Sequence, residues 1–237
     1  MKKTIYFCGD IHGDLKELVW TIVEQHKLQD SSIIIVGDFG VGFGGPNSMQ
    51  VLYDSVKDRL EKNNIKLYTC RGNHDDPQWF DGKHNFPNLE FLEDHKTIEI
   101  DGWSIYPIGG ATSIDIKMRI EENEKLKRQG SLKKVWWEDE RPVQKLNDLP
   151  GGVDIIISHT APIAFEPVAI KEDMMDTETY NKCIEDRTYL SKILNEIRAK
   201  YWFYGHFHDH YSGSFGNLMY RGLGIKELFE LRCLEDF

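Results

Sequence analysis

The run Ser32 to Val36 carries Ile33, Ile34, Ile35 and Val36 in succession, so a strand built from it has no face to offer to water. Such a strand belongs in a sheet covered on both sides, the setting of parallel α/β sheets rather than of half-exposed antiparallel ones. Its neighbours agree. Thr4 to Cys8 and Ile65 to Cys70 are similar short apolar runs. Between them lie helical stretches, Leu15 to His26 with Leu15, Leu18, Val19, Ile22 and Val23 on one stripe, and about Met49 to Lys62. Strand, helix, strand, helix, strand, with polar residues after each strand, is a parallel-sheet pattern. Sites in such sheets form beyond the carboxyl ends of the strands.

The second half of the chain changes character. Thr97 to Ile100 and Trp103 to Ile108 flank Asp101-Gly102, a hairpin signal. From about 114 to 149 the chain is highly charged, with weak helical periodicity and a Trp136-Trp137 pair; it reads as a helical excursion over the core, closed by Pro150-Gly151-Gly152. Val153 to Ile157 predicts a buried strand, Thr179 to Lys200 a helix and Tyr201 to Tyr204 another strand. Tyr211 to Ser214 and Leu218 to Arg221 flank the turn formers Gly216-Asn217, and Lys226 to Arg232 ends the pattern. The expectation is one α/β domain over residues 1–237, two mixed β-sheets packed together with helices outside.

Composition narrows the function. With 40% hydrophobic and 29% charged residues the chain is no disordered segment. Thirty-nine acidic against 29 basic side chains leave a net charge of −10, which argues against a broad basic surface gripping nucleic-acid phosphates. No run approaches the ~18 apolar residues of a membrane span. Cys8, Cys70, Cys183 and Cys233 are far apart and form no CxxC pair, as expected of reduced, packed thiols in a cytoplasmic protein.

The chemistry is concentrated at five strand ends: Gly9-Asp10-Ile11-His12, Gly37-Asp38, Gly72-Asn73-His74-Asp75, Ser158-His159 and Gly205-His206-Phe207-His208. On an extended chain residues i and i+2 point the same way, so Asp10 with His12, and His206 with His208, are each expected to face one pocket. Glycines before them let the backbone turn sharply. Two carboxylates (Asp10, Asp38), four imidazoles (His12, His159, His206, His208) and the Asn73 amide are more ligands than one divalent ion needs, and suit two ions sharing a carboxylate. Without a thiolate the set favours Mn²⁺, Fe, Zn²⁺ or Mg²⁺ over structural zinc, with Mn²⁺ preferred. Asp75 and Asp76 are equally readable as loop caps, and His26, His84, His95 and His210 as structural residues. Gly40 to Gly45 lacks the Lys-Ser/Thr of a P-loop and reads as a flexible rim. Trp136-Trp137 and Trp79-Phe80 read as packing residues rather than base-stacking platforms.

These blocks, in this order, resemble the calcineurin-like metallophosphoesterase family, whose pattern is GDxH, GD, GNH[D/E], an isolated His and GHxH. They span residues 9 to 208. The resemblance implies a four-layer α-β-β-α sandwich and a division of ligands. Asp10, His12 and His208 would hold the first ion, Asn73, His159 and His206 the second, and Asp38 would bridge them. His74 would lie beside the phosphate as a catalytic residue, stabilising developing charge or protonating the leaving oxygen. The implied reaction is in-line attack on phosphorus by a hydroxide bridging the two metals. The protein-phosphatase branch continues its second block to an Asp-Arg-Gly, whereas this chain reads Asp38-Phe39-Gly40-Val41-Gly42 without an arginine. That argues against a Ser/Thr protein phosphatase, and the acidic balance against nucleic acid, which leaves a small phosphomonoester, diester or nucleotide as the expected substrate. It leaves Arg71, Arg119 and Arg221 as candidate phosphate-binding residues. A non-catalytic scaffold of the same fold is the alternative from another class; oligomeric state is left open.

Overall fold

A computed structural model describes residues 3–45, 47–165 and 175–231. The first sheet contains β1 (Thr4–Cys8), β2 (Ser31–Ile35), β3 (Ile65–Thr69), β4 (Leu89–Phe91) and the last strand, β11 (Leu228–Glu230), in the order β11-β1-β2-β3-β4. The second contains β5 (Ile98–Ile100), β6 (Trp103–Ile108), β7 (Ile155–Ser158), β8 (Tyr201–Tyr204), β9 (Tyr211–Phe215) and β10 (Leu218–Gly222), in the order β5-β6-β7-β8-β10-β9. Both are mixed: β1 to β4 and β6, β7, β8, β10 are parallel, while β11, β5 and β9 pair antiparallel.

Alternation along each strand divides the core into three. Ile5 and Phe7 of β1, and Ile34 just ahead of Val36, face Ile155, Ile157, Tyr201 and Phe203 of the other sheet. Phe7 and Phe203 stack there with ring centroids 3.7 Å apart. The opposite residues, Cys8, Ile33 and Ile35, pack under the helices α1 (Leu15–Trp20), α2 (Ser48–Asp54) and α3 (Lys57–Lys62). On the far side Ile156, Trp202 and Tyr204 pack against Tyr189, Leu190 and Ile193 of α5 (Thr177–Glu196). This is the α-β-β-α arrangement, and it explains why the central strands carry no polar face.

Several boundaries differ from expectation for local reasons. The stripe from Leu15 continues past Trp20 as a π-helical turn, Thr21–Gln25. The helix over 49–62 breaks at Ser55, whose hydroxyl donates back to the Leu52 carbonyl (2.6 Å). α5 starts two residues early because Asp176 caps it, accepting from the backbone N–H groups of Glu178 and Thr179, and it ends where Ile197 turns extended. The excursion is helical only over α4 (Ile116–Arg128); Gly130, at φ +70°, ends the helix and the chain returns as irregular structure. Asp101 and Gly102 both take positive φ, as the expected hairpin turn requires. Cys8, Cys70 and Cys183 are free and buried. Cys233, Arg232 and Pro46 lie outside the described residues.

Candidate metal centre

Five parallel strands, three from one sheet and two from the other, end at the same edge of the sandwich, and their trailing residues converge. Asp10 and Asp38 form a buried floor, and His12 and His208 a more exposed rim. One ligand atom from each of these four lies within 4.8 Å of the others. His208 Nε2 is 3.2 Å from Asp10 Oδ2 and 3.0 Å from His12 Nε2. On the other side of Asp38, the buried Asn73 Oδ1 lies 2.8 Å from His159 Nε2 and 3.1 Å from His206 Nδ1. Asp38 joins the two groups: Oδ1 is 3.1 Å from His159 Nε2, and Oδ2 is 3.7 Å from His12 Nδ1. His74 stands beside this carboxylate, Nε2 to Oδ2 3.7 Å, and its backbone N–H donates to Oδ1 (2.8 Å).

The backbone that produces this convergence is not extended. His12, Asp38, His206 and His208 have φ of 46°, 48°, 69° and 55°, a left-handed conformation that ordinary residues adopt at a cost. The i, i+2 alternation expected of the GDxH and GHxH blocks is therefore replaced by turns. Within the second block pair, His206 and His208 face different halves of the cleft rather than one pocket. Gly37, at φ +99°, is required as well, because a Cβ there would run into the His159 ring. Asp75 is the internal cap of the floor. Its carboxylate accepts from the N–H groups of Phe39, Gly40, Val41 and Gly72, at 2.7 to 3.2 Å, fixing the loops that carry Asp38 and Asn73. Asp76 caps the short turn Pro77–Phe80.

Electrostatics match the geometry. Burial works against charge on Asp38, but the imidazoles of His159 and His74 outweigh it and hold the carboxyl well below its usual range. His159 is pushed up to about 9: burial opposes its charge and the Asp38 and Asp10 carboxylates win. His206, buried and next to His159, is pushed down to about 3. Burial takes His74 down to about 4, with Arg119 and His12 adding to the effect and Asp38 opposing it. A proton on His159 partly neutralises the buried carboxylate charge. Two buried carboxylates among imidazoles, with Nε2 atoms of His12 and His208 pointed at each other, form an oxygen and nitrogen donor set that fits divalent cations.

Of the arginines, Arg71 is the correction. It is 2% exposed and all its donors are committed, to Asp94 and to the carbonyls of Gly109, Asp139, Glu140 and Arg141, so it has none left for a phosphate. Arg221 is held by Glu227 (2.7 Å) and lies over the Phe229 ring. Arg119 is tethered through Nε to Asp115 (2.6 Å) and through Nη1 to the Val135 carbonyl (3.2 Å), which leaves Nη2 uncommitted among the described residues. The rim of Gly40 to Gly45 is pinned at its start by Asp75, and Phe43 packs between Trp137 (5.1 Å) and His74 (6.1 Å). Trp79 and Phe80 pack on Phe91, as packing residues should. His84, His95 and His210 are hydrogen-bonded away from the cleft's ligands, to Asp81, Tyr106 and Glu227. Two residues carrying no motif signal also belong to the site. Ser113 accepts from Asn73 Nδ2 (3.0 Å), and Glu140, buried and pushed up to about 7 by burial against its bonds from Ser113, lies behind it.

Two sheets sandwiched by helices carry a cleft of histidines and carboxylates across the strand ends that could hold metal ions. Residues 3–210 match the calcineurin-like phosphoesterase family, and the chain belongs to it. It is 26% identical to a lariat debranching enzyme of Arabidopsis thaliana over 227 residues, 84% of this chain and 53% of that protein, so the chain spans about half the length of this curated relative. Among solved structures it resembles the TT1561 protein of Thermus thermophilus, with 11% identity, TM-score 0.51 and coverage of 97% of this chain and 98% of that one. It also resembles a phosphopantetheinyl hydrolase of Mycobacterium tuberculosis, with 12% identity, TM-score 0.48 and coverage of 97% and 96%. No described helix is long and apolar enough to cross a membrane.

Proposed function

We propose that this chain hydrolyses small phosphate esters with two divalent ions, Mn²⁺ preferred, in the cytoplasm. Asp10, His12 and His208 would hold one ion, Asn73, His159 and His206 the other, and Asp38 would serve both. The observation that carries this reading is the position of the Asp38 carboxylate, with one oxygen toward His159 and the other toward His12. A bound pair would supply Lewis acidity, making water nucleophilic near neutral pH and neutralising phosphoryl oxygens.

The chain's own residues do the rest. Asp38 offsets the repulsion between two cations from a buried position. His74, neutral in the free protein, presents an N–H to the phosphoryl or leaving oxygen. Arg119 Nη2 is the remaining candidate to orient the phosphate. A cavity of about 670 Å³ lies beside Gly13 and Gly40, which follow His12 and Asp38 closely in the chain, and is walled by Lys16, Val41, Met49 and Leu52. The buried free thiols Cys8, Cys70 and Cys183 support a reducing compartment.

The test is a Mn²⁺-supplemented assay on a chromogenic monoester and a chromogenic diester, with elemental analysis of the loaded protein. Turnover of at least one substrate with two ions per chain is expected. No turnover of either, and no metal bound, would replace this reading with that of a non-catalytic scaffold.

A further inference from the structure

The excursion between β6 and β7 sends one carboxylate back under the metal centre. Asn73, Ser113 and Glu140 are buried, with 2%, 2% and 1% of their surface exposed. Asn73 Nδ2 donates to Ser113 Oγ (3.0 Å), Ser113 Oγ donates to Glu140 Oε2 (2.6 Å), and the Ser113 backbone N–H donates to Glu140 Oε1 (2.9 Å). Glu140 is itself fixed, its carbonyl accepting from the Ala111 N–H (3.0 Å) and from Arg71 Nη1 (3.1 Å).

The direction of this chain matters. A side-chain amide has two ends of nearly equal size and opposite polarity, so nothing steric decides which faces the cleft. Oδ1 lies 2.8 Å from His159 Nε2 and 3.1 Å from His206 Nδ1. With their lone pairs turned to an ion those nitrogens would not donate, and only the Nδ2 end would keep a hydrogen-bond partner. A serine hydroxyl on its own would be indifferent to the amide end it met. Its single proton, drawn to Glu140, leaves it only lone pairs for Asn73.

We propose that Ser113 and Glu140 are positioning residues that lock the Asn73 amide with its oxygen toward the second ion, so that the charged excursion is a working part of the metal centre. This rests on the two-ion reading above. It predicts that Ser113→Ala weakens the second Mn²⁺ about 10- to 100-fold while the first is unaffected. Glu140→Gln should do so to a lesser degree, and Ser113→Thr, which keeps the hydroxyl, should restore wild-type binding.

The experiment is calorimetric titration of the chelator-stripped 237-residue chain with Mn²⁺, each variant's metal-free melting curve being recorded first. In wild type loaded with diamagnetic Zn²⁺ or Mg²⁺ in place of Mn²⁺, the Asn73 side-chain amide should also exchange slowly with solvent by NMR. Equal affinity for both ions in folded Ser113→Ala and wild type overturns the proposal. So does rapid Asn73 amide exchange, a readout that needs no variant to fold. Wild-type protein that takes up fewer than two ions overturns the two-ion reading instead.

Discussion

The buried carboxylates of this site have different jobs, and substitution separates them. Asp38 faces both ligand groups, so Asp38→Asn is expected to abolish most metal uptake and activity together. His74 lies beside it without belonging to either group, so His74→Asn should retain metal and lose turnover by about 10²- to 10⁴-fold; metal analysis beside kcat distinguishes the two. Asp75 carries no chemistry. In Asp75→Asn one end of the side chain becomes a donor facing two buried N–H groups, which should cost about 3 kcal/mol in urea unfolding. The seven metal-ligand candidates stand out in the sequence by residue type and by their place at strand ends, and the fold brings them to one cleft. The roles of the arginines do not stand out in this way. Nothing in the residues around Arg71 tells that its guanidinium is saturated by Asp94 and four carbonyls, because those partners come from 23 to 70 positions away. Ser113 and Glu140 escaped for the same reason, being ordinary residues in a charged segment.

Secondary structure was legible wherever a pattern had length. β2 and β7 are buried on both faces and read as continuous apolar runs, and the Asp101-Gly102 hairpin announces itself by residue type. β4, only three residues long, gives periodicity nothing to register, and it joins the sheet because β3 offers a free edge. Between β6 and β7, parallel neighbours, Asp154 accepts from the Ser104 N–H and hydroxyl and from Lys200 Nζ, at 2.8 to 3.0 Å. Lys200 and Ser104 hold its carboxyl down at about 2 from an ordinary 3.8. A depressed carboxyl stabilises the fold above its ordinary value, and the contribution disappears as pH falls toward 2. Asp154→Asn should therefore lower stability by about 1 kcal/mol at neutral pH. The gap to wild type should close between pH 3.8 and about 2, followed by denaturant midpoints across that range.

For the whole molecule, an ion that binds only the folded cleft adds stability by mass action, about 2.7 kcal/mol at a hundredfold excess over its dissociation constant. Melting temperature should rise on adding Mn²⁺ and fall back with a chelator, whereas Asp38→Asn should respond to neither. An unchanged melting temperature in the wild type would count against a cleft built around cations. The gain has a direction as well as a size. Asp10, Asp38 and Asn73 come from one sheet; His159, His206 and His208 come from the other. Cations gripped by both would act as rivets through two plates that otherwise adhere by oily contacts such as Phe7 on Phe203. The atoms that would prepare a nucleophile thus also resist shear between the plates, and stripping them out should slacken the sandwich along its whole inner seam.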